Sequence, residues 1–310
     1  MSSKITRYGI KDIDIEVFNE NSTGLFITSL DELTERHNNM ISQPHRICFN
    51  QILLITEGDG ILNIDSNQIE LSPRKLVAMV KGQVESLFIK RNTKGYVIQF
   101  TEDFIHRYPG DLDWINNLKL FNPYVKPCCI TLSSIEHLNF LSIIESILAE
   151  LNNDNDDMKN DILANLLKTF LLLAERIKRS KTGDNVTSIN DWSYVIEFKK
   201  KLEDNFHISR SVSFYADELS ITQKKLNNIT TGFWGKNTKQ VIEERVLLEI
   251  KRMLMYTNKT IKEIGLSVGF NDPTNFNKFF RKYEHFTPAN FRSLNKKSSH
   301  YHTSVVINHL

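Results

Sequence analysis

The stretch Thr260–Tyr283 reads TIKEIGLSVGFNDPTNFNKFFRKY and decides the fold of the part of the chain around it. Thr260 can cap the free N–H groups of a first helix, and Gly269 can take the left-handed conformation of a tight turn because it lacks a Cβ atom. Asn271-Asp272 can cap a second helix, and Pro273 suits its first turn, where a backbone N–H is not needed. A helix, a tight turn and a second helix with a basic outer face predict a helix-turn-helix unit.

The same pattern occurs a second time, upstream of the first. A short amphipathic helix is predicted over Val212–Glu218, and a break at Ser220-Ile221 follows it. Thr222 can cap the helix that comes next, whose outer face is polar. A long helix lies between the two units, and we expect Thr238 to cap it and Tyr256 to lie near its end. The sequence therefore predicts two helix-turn-helix units joined by a long helix.

The first hundred residues have the pattern of short β-strands. Residues 12–18 alternate apolar and charged side chains, which predicts a half-buried strand. A hairpin is predicted around Gly58-Asp-Gly60, with a further turn at Ser66-Asn67. Many short strands at spacings of roughly 8–12 residues are typical of a β-barrel or jelly roll.

Two amphipathic helices follow the strands. Ser133 and Glu136 can form a capping box at the start of the first, and a polar acidic turn, residues 152–157, separates it from the second. The pair predicts an antiparallel helical hairpin, which either only covers the barrel or forms a dimer interface, the interpretation we favour. The predicted buried stripes are Leu138, Leu141, Ile144, Leu148 and Leu151 in the first helix, and Ile162, Leu166, Phe170, Ala174 and Ile177 in the second.

Composition excludes several classes of protein. No run reaches the roughly 18 uncharged apolar residues of a membrane span, and Met1–Asp14 lacks the apolar core of a secretory signal. The three cysteines, Cys48, Cys128 and Cys129, have neither the number nor the spacing of a disulfide framework or a zinc site. We therefore expect a cytoplasmic protein with idle thiols.

Charge divides the chain into two parts of opposite sign. From Asp191 to Leu310 there are 19 Lys and Arg against 12 Asp and Glu, a net charge of +7. The rest of the chain carries the remaining 20 basic and 25 acidic residues, a net charge of −5. A basic carboxyl-terminal part suits a polyanion, whereas an acidic amino-terminal part does not.

The carboxyl-terminal part resembles the DNA-binding domain of the AraC/XylS family of bacterial transcription regulators. The resemblance extends from about Val212 to Arg292. It implies two recognition helices in successive major grooves, about one helical turn (~34 Å) apart. It also implies a transcription regulator, an activator more often than a repressor, whose partners are double-stranded DNA and RNA polymerase. The residues that carry the resemblance are Ile261-Lys-Glu-Ile-Gly265, Val268-Gly-Phe270, Asn275–Tyr283, Thr287-Pro288 and Phe291-Arg292.

Alignment to the family pattern assigns the DNA contacts. Lys can donate to guanine, Asn can pair with adenine through two hydrogen bonds, and Thr can touch the thymine methyl group. The expected base-reading residues are Lys224, Asn227 and Asn228 in the first unit, and Thr274, Asn277 and Lys278 in the second. The residues better placed for phosphates, which give affinity without sequence information, are Lys225, Lys236, Arg281 and Lys282.

The amino-terminal strands resemble the cupin-like sensor domain found in the same family. The resemblance lies in Leu54–Gly60, the returning strand Ile61–Asp65, and Leu71-Ser-Pro-Arg74. It implies a pocket for a small-molecule effector in the barrel. The candidate residues at its mouth are His45, Arg46 and Arg74.

Other functions remain open at this level. A regulator without ligand has the same sequence pattern. A cupin-type enzyme needs a set of metal ligands, and Gln83-Val-Glu85 stands where family members often have His. We therefore expect no metal, no cofactor and no catalytic activity.

The sequence thus predicts an α+β protein with a cupin-like β-barrel, a helical hairpin and an all-α double helix-turn-helix domain. We expect it to form a homodimer and to have no membrane contact. The predicted parts are a sensor domain (residues 1–130), a dimerisation hairpin (131–181), a linker (182–190), a DNA-binding domain (191–297) and a tail (298–310).

Overall fold

A computed structural model of the chain describes residues 10–19, 23–105, 118–121, 127–154, 156–182 and 192–294. The chain divides into two compact units, one containing Lys11–Val186 and the other Thr187–Leu310. The predicted tail and, apart from Thr182, the predicted linker lie outside the described residues. No helix in the described ranges is long and apolar enough to cross a membrane.

The first unit contains two β-sheets that pack face to face. Within the described ranges, one sheet has the strand order β1-β3-β8-β5-β6 and the other β10-β7-β4-β9-β2. Leu62 and Leu87 of the first sheet share a buried core with Leu53, Val77 and Val97 of the second. The predicted barrel therefore takes the form of a sandwich of two five-stranded sheets. The strands are β1 (Lys11–Ile13), β2 (Leu25–Ser29), β3 (His45–Ile47), β4 (Asn50–Glu57), β5 (Gly60–Ile64), β6 (Asn67–Leu71), β7 (Lys75–Met79), β8 (Val84–Ile89), β9 (Lys94–Phe100) and β10 (Cys128–Thr131).

The second sheet is covered on both faces. Leu53 points into the sandwich, whereas its neighbours Ile52 and Leu54 belong to a separate core on the outer face. That outer core is closed by the helical hairpin, whose Phe140 and Phe170 rings pack edge to face at 4.6 Å. Because both faces are buried, strand β4 is an almost unbroken apolar run. The helices of this unit are α1 (Leu30–Ile41), α2 (Glu102–Ile105), α3 (Ser134–Asn152) and α4 (Lys159–Thr182).

The structure corrects the local assignments in this unit. The strand predicted for residues 12–18 is wrong: β1 ends at Ile13, and a 3₁₀ turn, Ile15–Val17, follows it. Helix α1 falls in a region that the sequence analysis assigned to strands alone. The capping box of Ser133 and Glu136 is confirmed.

The buried stripes of the hairpin also differ from the predicted ones. Leu138 is 65% exposed and Ile162 is 43% exposed, so neither faces the sheet. Both helices are apolar over much of their circumference, so periodicity alone could not select the buried face. The residues that do face the sheet are Phe140, Ile144 and Ile147 in α3, and Leu163, Leu167, Phe170, Leu171, Ala174 and Ile177 in α4.

The second unit is helical throughout its described part. Its long helix carries a capping box in which Asn237, and not the predicted Thr238, is the N-cap residue. Thr222, Thr260 and Asp272 cap the helices that the sequence assigned to them. The helices are α5 (Trp192–Asn205), α6 (Val212–Glu218), α7 (Gln223–Trp234), α8 (Thr238–Tyr256), α9 (Ile261–Ser267), α10 (Pro273–Glu284) and α11 (288–294).

Candidate nucleic-acid interface

The second unit contains one structural pattern twice. In each copy a helix of seven residues, α6 or α9, is followed by a helix of twelve residues, α7 or α10. Ser220 and Gly269 occupy the same place in the turns and both have positive φ, 53° and 81°. The next residue closes the turn in each copy, since Ile221 N donates to Ala216 O at 3.0 Å and Phe270 N donates to Gly265 O at 2.9 Å.

The two longer helices also end alike. Gly235 and His285 follow α7 and α10, and both adopt the left-handed conformation, with φ of 66° and 60°. Each donates its N–H to a carbonyl four residues earlier. The matching starts and ends align the two helices residue by residue, so that Lys224 corresponds to Thr274, Asn227 to Asn277, and Thr238 to Pro288.

Most of the predicted base-reading residues lie on the outer faces of α7 and α10. Lys224, Asn228, Thr274 and Lys278 are all exposed. Their neighbours Leu226 and Phe276 are buried, so the helices present their polar sides to solvent. Within the described part of the chain, neither Lys224 nor Lys278 forms an ion pair. Both side chains are therefore available to a ligand.

Asn227 and Asn277 occupy equivalent positions but make different contacts. The Asn227 side-chain oxygen accepts a hydrogen bond from the backbone N–H of Thr238 at 3.2 Å, at the start of α8. In the second copy the corresponding residue is Pro288, which has no N–H to donate. Asn277 instead donates to the Pro273 carbonyl of its own helix at 2.8 Å. Asn227 thus attaches α7 to α8, whereas Asn277 makes no bond of this kind.

The predicted phosphate contacts differ in their surroundings. The Lys225 ammonium lies 4.6 Å from the centre of the Tyr194 ring. Lys236 pairs with Glu244 at 2.8 Å, and Lys282 pairs with Glu243 at 3.1 Å. Arg281 is exposed, and no partner of its side chain is found within the described ranges.

A buried network of charged groups joins α8 to α5. Arg245 donates to Glu203 through two nitrogens, each at 2.8 Å, and to Glu249 at 3.1 Å. Its guanidinium also stacks 3.9 Å from the centre of the Phe206 ring. A planar guanidinium is suited to bind carboxylates and an aromatic face at once. These contacts hold the long helix against the first helix of the unit.

The candidate effector residues are not brought together in the first unit. His45 is buried in the sandwich, whereas Arg74 is exposed and donates to Ser134 Oγ at 3.0 Å, at the start of the hairpin. Arg46 donates to the Gly82 carbonyl at 3.4 Å, beyond the other end of β7 from Arg74. The three residues therefore do not form one pocket mouth.

The sandwich holds a polar layer that sequence reasoning missed. Its members are His45 and Glu85 from one sheet, and Gln51 and Gln99 from the other; these four residues are called the polar layer below. Gln51 Nε2 donates across the sandwich to both oxygens of Glu85 at 3.1 Å, and Gln99 Nε2 donates to Gln51 Oε1 at 2.8 Å. Polar residues within apolar strands were the available signal for this layer.

The histidine of the polar layer lies between two hydrogen-bond acceptors. His45 Nδ1 is 2.9 Å from the Gln43 carbonyl, and its Nε2 is 3.3 Å from Glu85 Oε1. Burial lowers the pKa of His45, but Glu85 and the Gln43 carbonyl together outweigh burial, so the pKa lies above its ordinary value of 6.5. At the other end of the layer, Gln99 is only 1% exposed and its Oε1 accepts no hydrogen bond.

The remaining candidate chemistry is sparse. Among the described residues, no group of three or more His, Cys, Asp or Glu side chains is placed to hold a metal ion. Cys48, Cys128 and Cys129 are free thiols.

Comparisons with known proteins agree with the geometry of the second unit. A family of sequences described as a helix-turn-helix domain matches residues 215–293. The HTH-type transcriptional activator RhaS of Enterobacter sp. (strain 638) is 18% identical over 248 residues, which cover 80% of this chain and 86% of RhaS. The melibiose operon regulatory protein of Escherichia coli (strain K12) is 25% identical over 155 residues, which cover 48% of this chain and 51% of that protein.

The chain belongs to the AraC family of transcription regulators. As an AraC-family regulator it is a DNA-binding protein, and α7 and α10 are its two recognition helices.

Two solved structures are also similar to this AraC-family regulator. ToxT of Vibrio cholerae strain SCE256, with an unsaturated fatty acid bound, has a TM-score of 0.39 and 16% identity, over 88% of this chain and 96% of ToxT. A transcriptional regulator of Chromobacterium violaceum with an AraC-type DNA-binding domain has a TM-score of 0.32 and 21% identity, over 35% of this chain and 96% of that one.

Proposed function

We propose that this AraC-family regulator binds promoter DNA sequence-specifically in the cytoplasm and activates transcription through contact with RNA polymerase. The proposal assigns it no catalytic activity. The observation that carries the proposal is the repeated pair of helices, each with a buried apolar side and an exposed polar side. Two such helices, joined by one rigid helix, suit two successive major grooves of a single site.

The proposed base contacts come from the exposed faces of the two recognition helices. Lys224 and Asn228 would read the first groove, and Thr274, Asn277 and Lys278 the second. The hydrogen bond of Asn227 to Thr238 supports an architectural role for Asn227 instead of base reading. The proposed phosphate contacts are Lys225, Lys236, Arg281 and Lys282.

We assign the sensing role to the first unit. Residues 1–130 would bind a small-molecule effector, and the hairpin of residues 131–181 would form a homodimer contact. The unpaired Oε1 of Gln99 supports an effector that carries a hydroxyl or amine donor, because a buried acceptor without a partner is unfavourable. This assignment moves the proposed effector contacts from Arg46 and Arg74 to the polar layer, and keeps His45.

DNA binding tests the first part of the proposal. The full chain would be incubated with its own upstream DNA across a range of salt concentrations, beside Asn277→Ala and Lys225→Ala. We expect Asn277→Ala to weaken binding to the preferred site by about 1–3 kcal/mol and to leave random DNA almost unaffected, since a base contact carries sequence information. Lys225→Ala should weaken both. Equal loss on both DNAs for Asn277→Ala would refute its assignment as a reader.

A thermal-shift screen tests the second part. Small polyols and amines would be added to the wild-type chain and to Gln99→Leu. A ligand that binds the folded chain raises the melting temperature by mass action, and we expect Gln99→Leu to abolish that rise. A rise that survives in Gln99→Leu would place the ligand elsewhere, and sedimentation of the same samples reports whether the chain is a dimer.

A further inference from the structure

The segment between α5 and α6 contacts three other parts of the DNA-binding unit. This segment, residues 206–211, is called the brace loop. Its first residue, Phe206, is buried under the Arg245 guanidinium of α8. Its Ser209 carbonyl accepts a hydrogen bond from the Tyr215 hydroxyl of α6 at 2.9 Å. The brace loop is thus attached to the long helix and to the first helix-turn-helix unit.

The far end of the brace loop is attached to the second helix-turn-helix unit. Arg210 Nη1 donates to the Val268 carbonyl at 3.1 Å, in the turn between α9 and α10. The Arg210 guanidinium also lies 3.8 Å from the centre of the Phe270 ring. One side chain therefore holds both the backbone and the aromatic residue of that turn, through a hydrogen bond and a cation–π contact.

The turn approaches the brace loop too closely for any side chain between them. A Cβ atom built on Gly269 would lie 2.5 Å from the His207 carbonyl oxygen, and the φ of Gly269 is +81°. Glycine is thus required here both for its conformation and for the close approach.

Phe270 carries this contact into the second recognition helix. Its ring packs edge to face on Phe276 of α10 at 5.4 Å, and it contacts Phe279 at 5.1 Å. A continuous set of contacts therefore runs from α6 through Ser209 and Arg210 to α10. It lies apart from the long helix, which joins the two units along the chain.

We propose that Arg210 is a positioning residue that sets the orientation of the second recognition helix relative to the first, and so sets the spacing of the two base-reading elements in the operator. The inference rests on the proposed function, because it requires both helices to read one site. Two helices held rigidly accept one separation and one rotation along the DNA. Each inserted base pair moves the second element by about 34° around the helix axis and about 3.4 Å along it.

The test compares operators of different spacing. Wild-type full-length protein selects its preferred sites from random DNA, and variants of the selected site carry one base pair inserted or deleted between the two elements. We expect wild type to bind these altered sites at least about tenfold more weakly. We expect Arg210→Met to bind the original site more weakly and to discriminate between spacings by less than about threefold, because its second unit is free to reorient.

A matched control removes one charge without touching the brace loop. Lys200 is exposed on α5, so Lys200→Met should weaken binding slightly and keep the wild-type spacing preference. If Arg210→Met does not fold, as judged by circular dichroism, Arg210→Lys takes its place, since lysine keeps the charge but not the planar stacking.

The outcomes separate this inference from the proposed function. If wild type selects no two-element site, the proposed function fails. If wild type selects such a site and the folded Arg210 variant keeps the wild-type discrimination between spacings, the proposed function stands and the positioning role of Arg210 is refuted. Loss of affinity without loss of discrimination would also refute it.

Discussion

At the scale of single residues, two asparagines at equivalent positions have separate tasks. Asn227→Ala should lower the free energy of unfolding by about 1–3 kcal/mol, because it removes the partner of the Thr238 N–H. Asn277→Ala should change stability by less than about 0.5 kcal/mol, because its bond within α10 lies on the outer face. Urea denaturation of the full chain measures both, and equal losses would contradict the separation of roles.

The charge of His45 gives a second prediction at this scale. A group whose pKa is raised in the folded state contributes stability that is fully present below its unfolded pKa and is lost as pH rises through the folded pKa. The folded pKa of His45 lies above its ordinary value of 6.5 because of Glu85 and the Gln43 carbonyl, despite burial. His45→Gln should therefore lower the melting temperature more at about pH 5.5 than at about pH 8.5.

The matched control for this pH effect is His207→Gln, since His207 is exposed. It should lower the melting temperature little, and by the same amount at both pH values. A loss for His45→Gln that is larger at the higher pH would show that the imidazole is neutral in the folded chain.

Sequence reasoning assigned residues to the outer faces of α7 and α10 but could not separate Asn227 from Asn277. The helical period shows which side chains face outward, and it correctly placed Lys224, Asn228 and Lys278 there. The hydrogen bond of Asn227 depends on how closely the start of α8 approaches α7, which is a tertiary contact. The exchange of Thr238 for Pro288 between the two copies was the one available signal.

At the scale of elements, the two recognition helices end with the same backbone conformation and different residues. His285 has φ of 60°, a conformation unfavourable for a residue with a Cβ atom, whereas Gly235 adopts it without strain. His285→Gly should therefore stabilise the chain by about 0.5–1 kcal/mol, and Gly235→Ala should destabilise it by a similar amount. Thermal unfolding of both variants provides the measurement; a destabilised His285→Gly would show that the imidazole contributes more than its backbone strain costs.

Local signals accounted for the starts of most helices, because capping is decided within four residues. Thr222, Thr260 and Ser133 each cap the helix expected of them. Helix α1 was missed although it carries the same kind of signal, since Ser29 accepts a hydrogen bond from the N–H of Glu32. The buried faces of α3 and α4 were not predictable, because the sheet against which they pack selects the face.

At the scale of the whole molecule, opposite net charges in the two parts predict how DNA affinity depends on salt. Each lysine or arginine that contacts a phosphate contributes about one to the slope of log affinity against log salt. Arg281→Ala should therefore reduce the slope by about one. Lys282→Ala should reduce it by less, because Glu243 already balances its charge in the free protein. Fluorescence anisotropy on random duplex DNA measures the slopes, and equal reductions would mean that the Glu243 pair opens on binding.

The same scale shows where sequence reasoning stopped in the first unit. Strands could be counted from turns and apolar runs, but their order in two sheets depends on pairing between distant segments. The polar layer is a product of that order, because it joins Gln51 of one sheet to Glu85 of the other. By contrast, the repeated helical pattern of the second unit is local, so the sequence predicted it in full.

The proline at position 288 makes the second helix-turn-helix unit the more evolvable of the two. Because Pro288 requires no acceptor from α10, position 277 can change identity without disturbing the helix that follows. Position 227 lacks that freedom, since any replacement must still satisfy the Thr238 N–H. A library randomised at positions 274, 277 and 278 should accordingly yield many more folded clones than one randomised at 224, 227 and 228. New operator preferences should then arise first in the base pairs beneath the second unit.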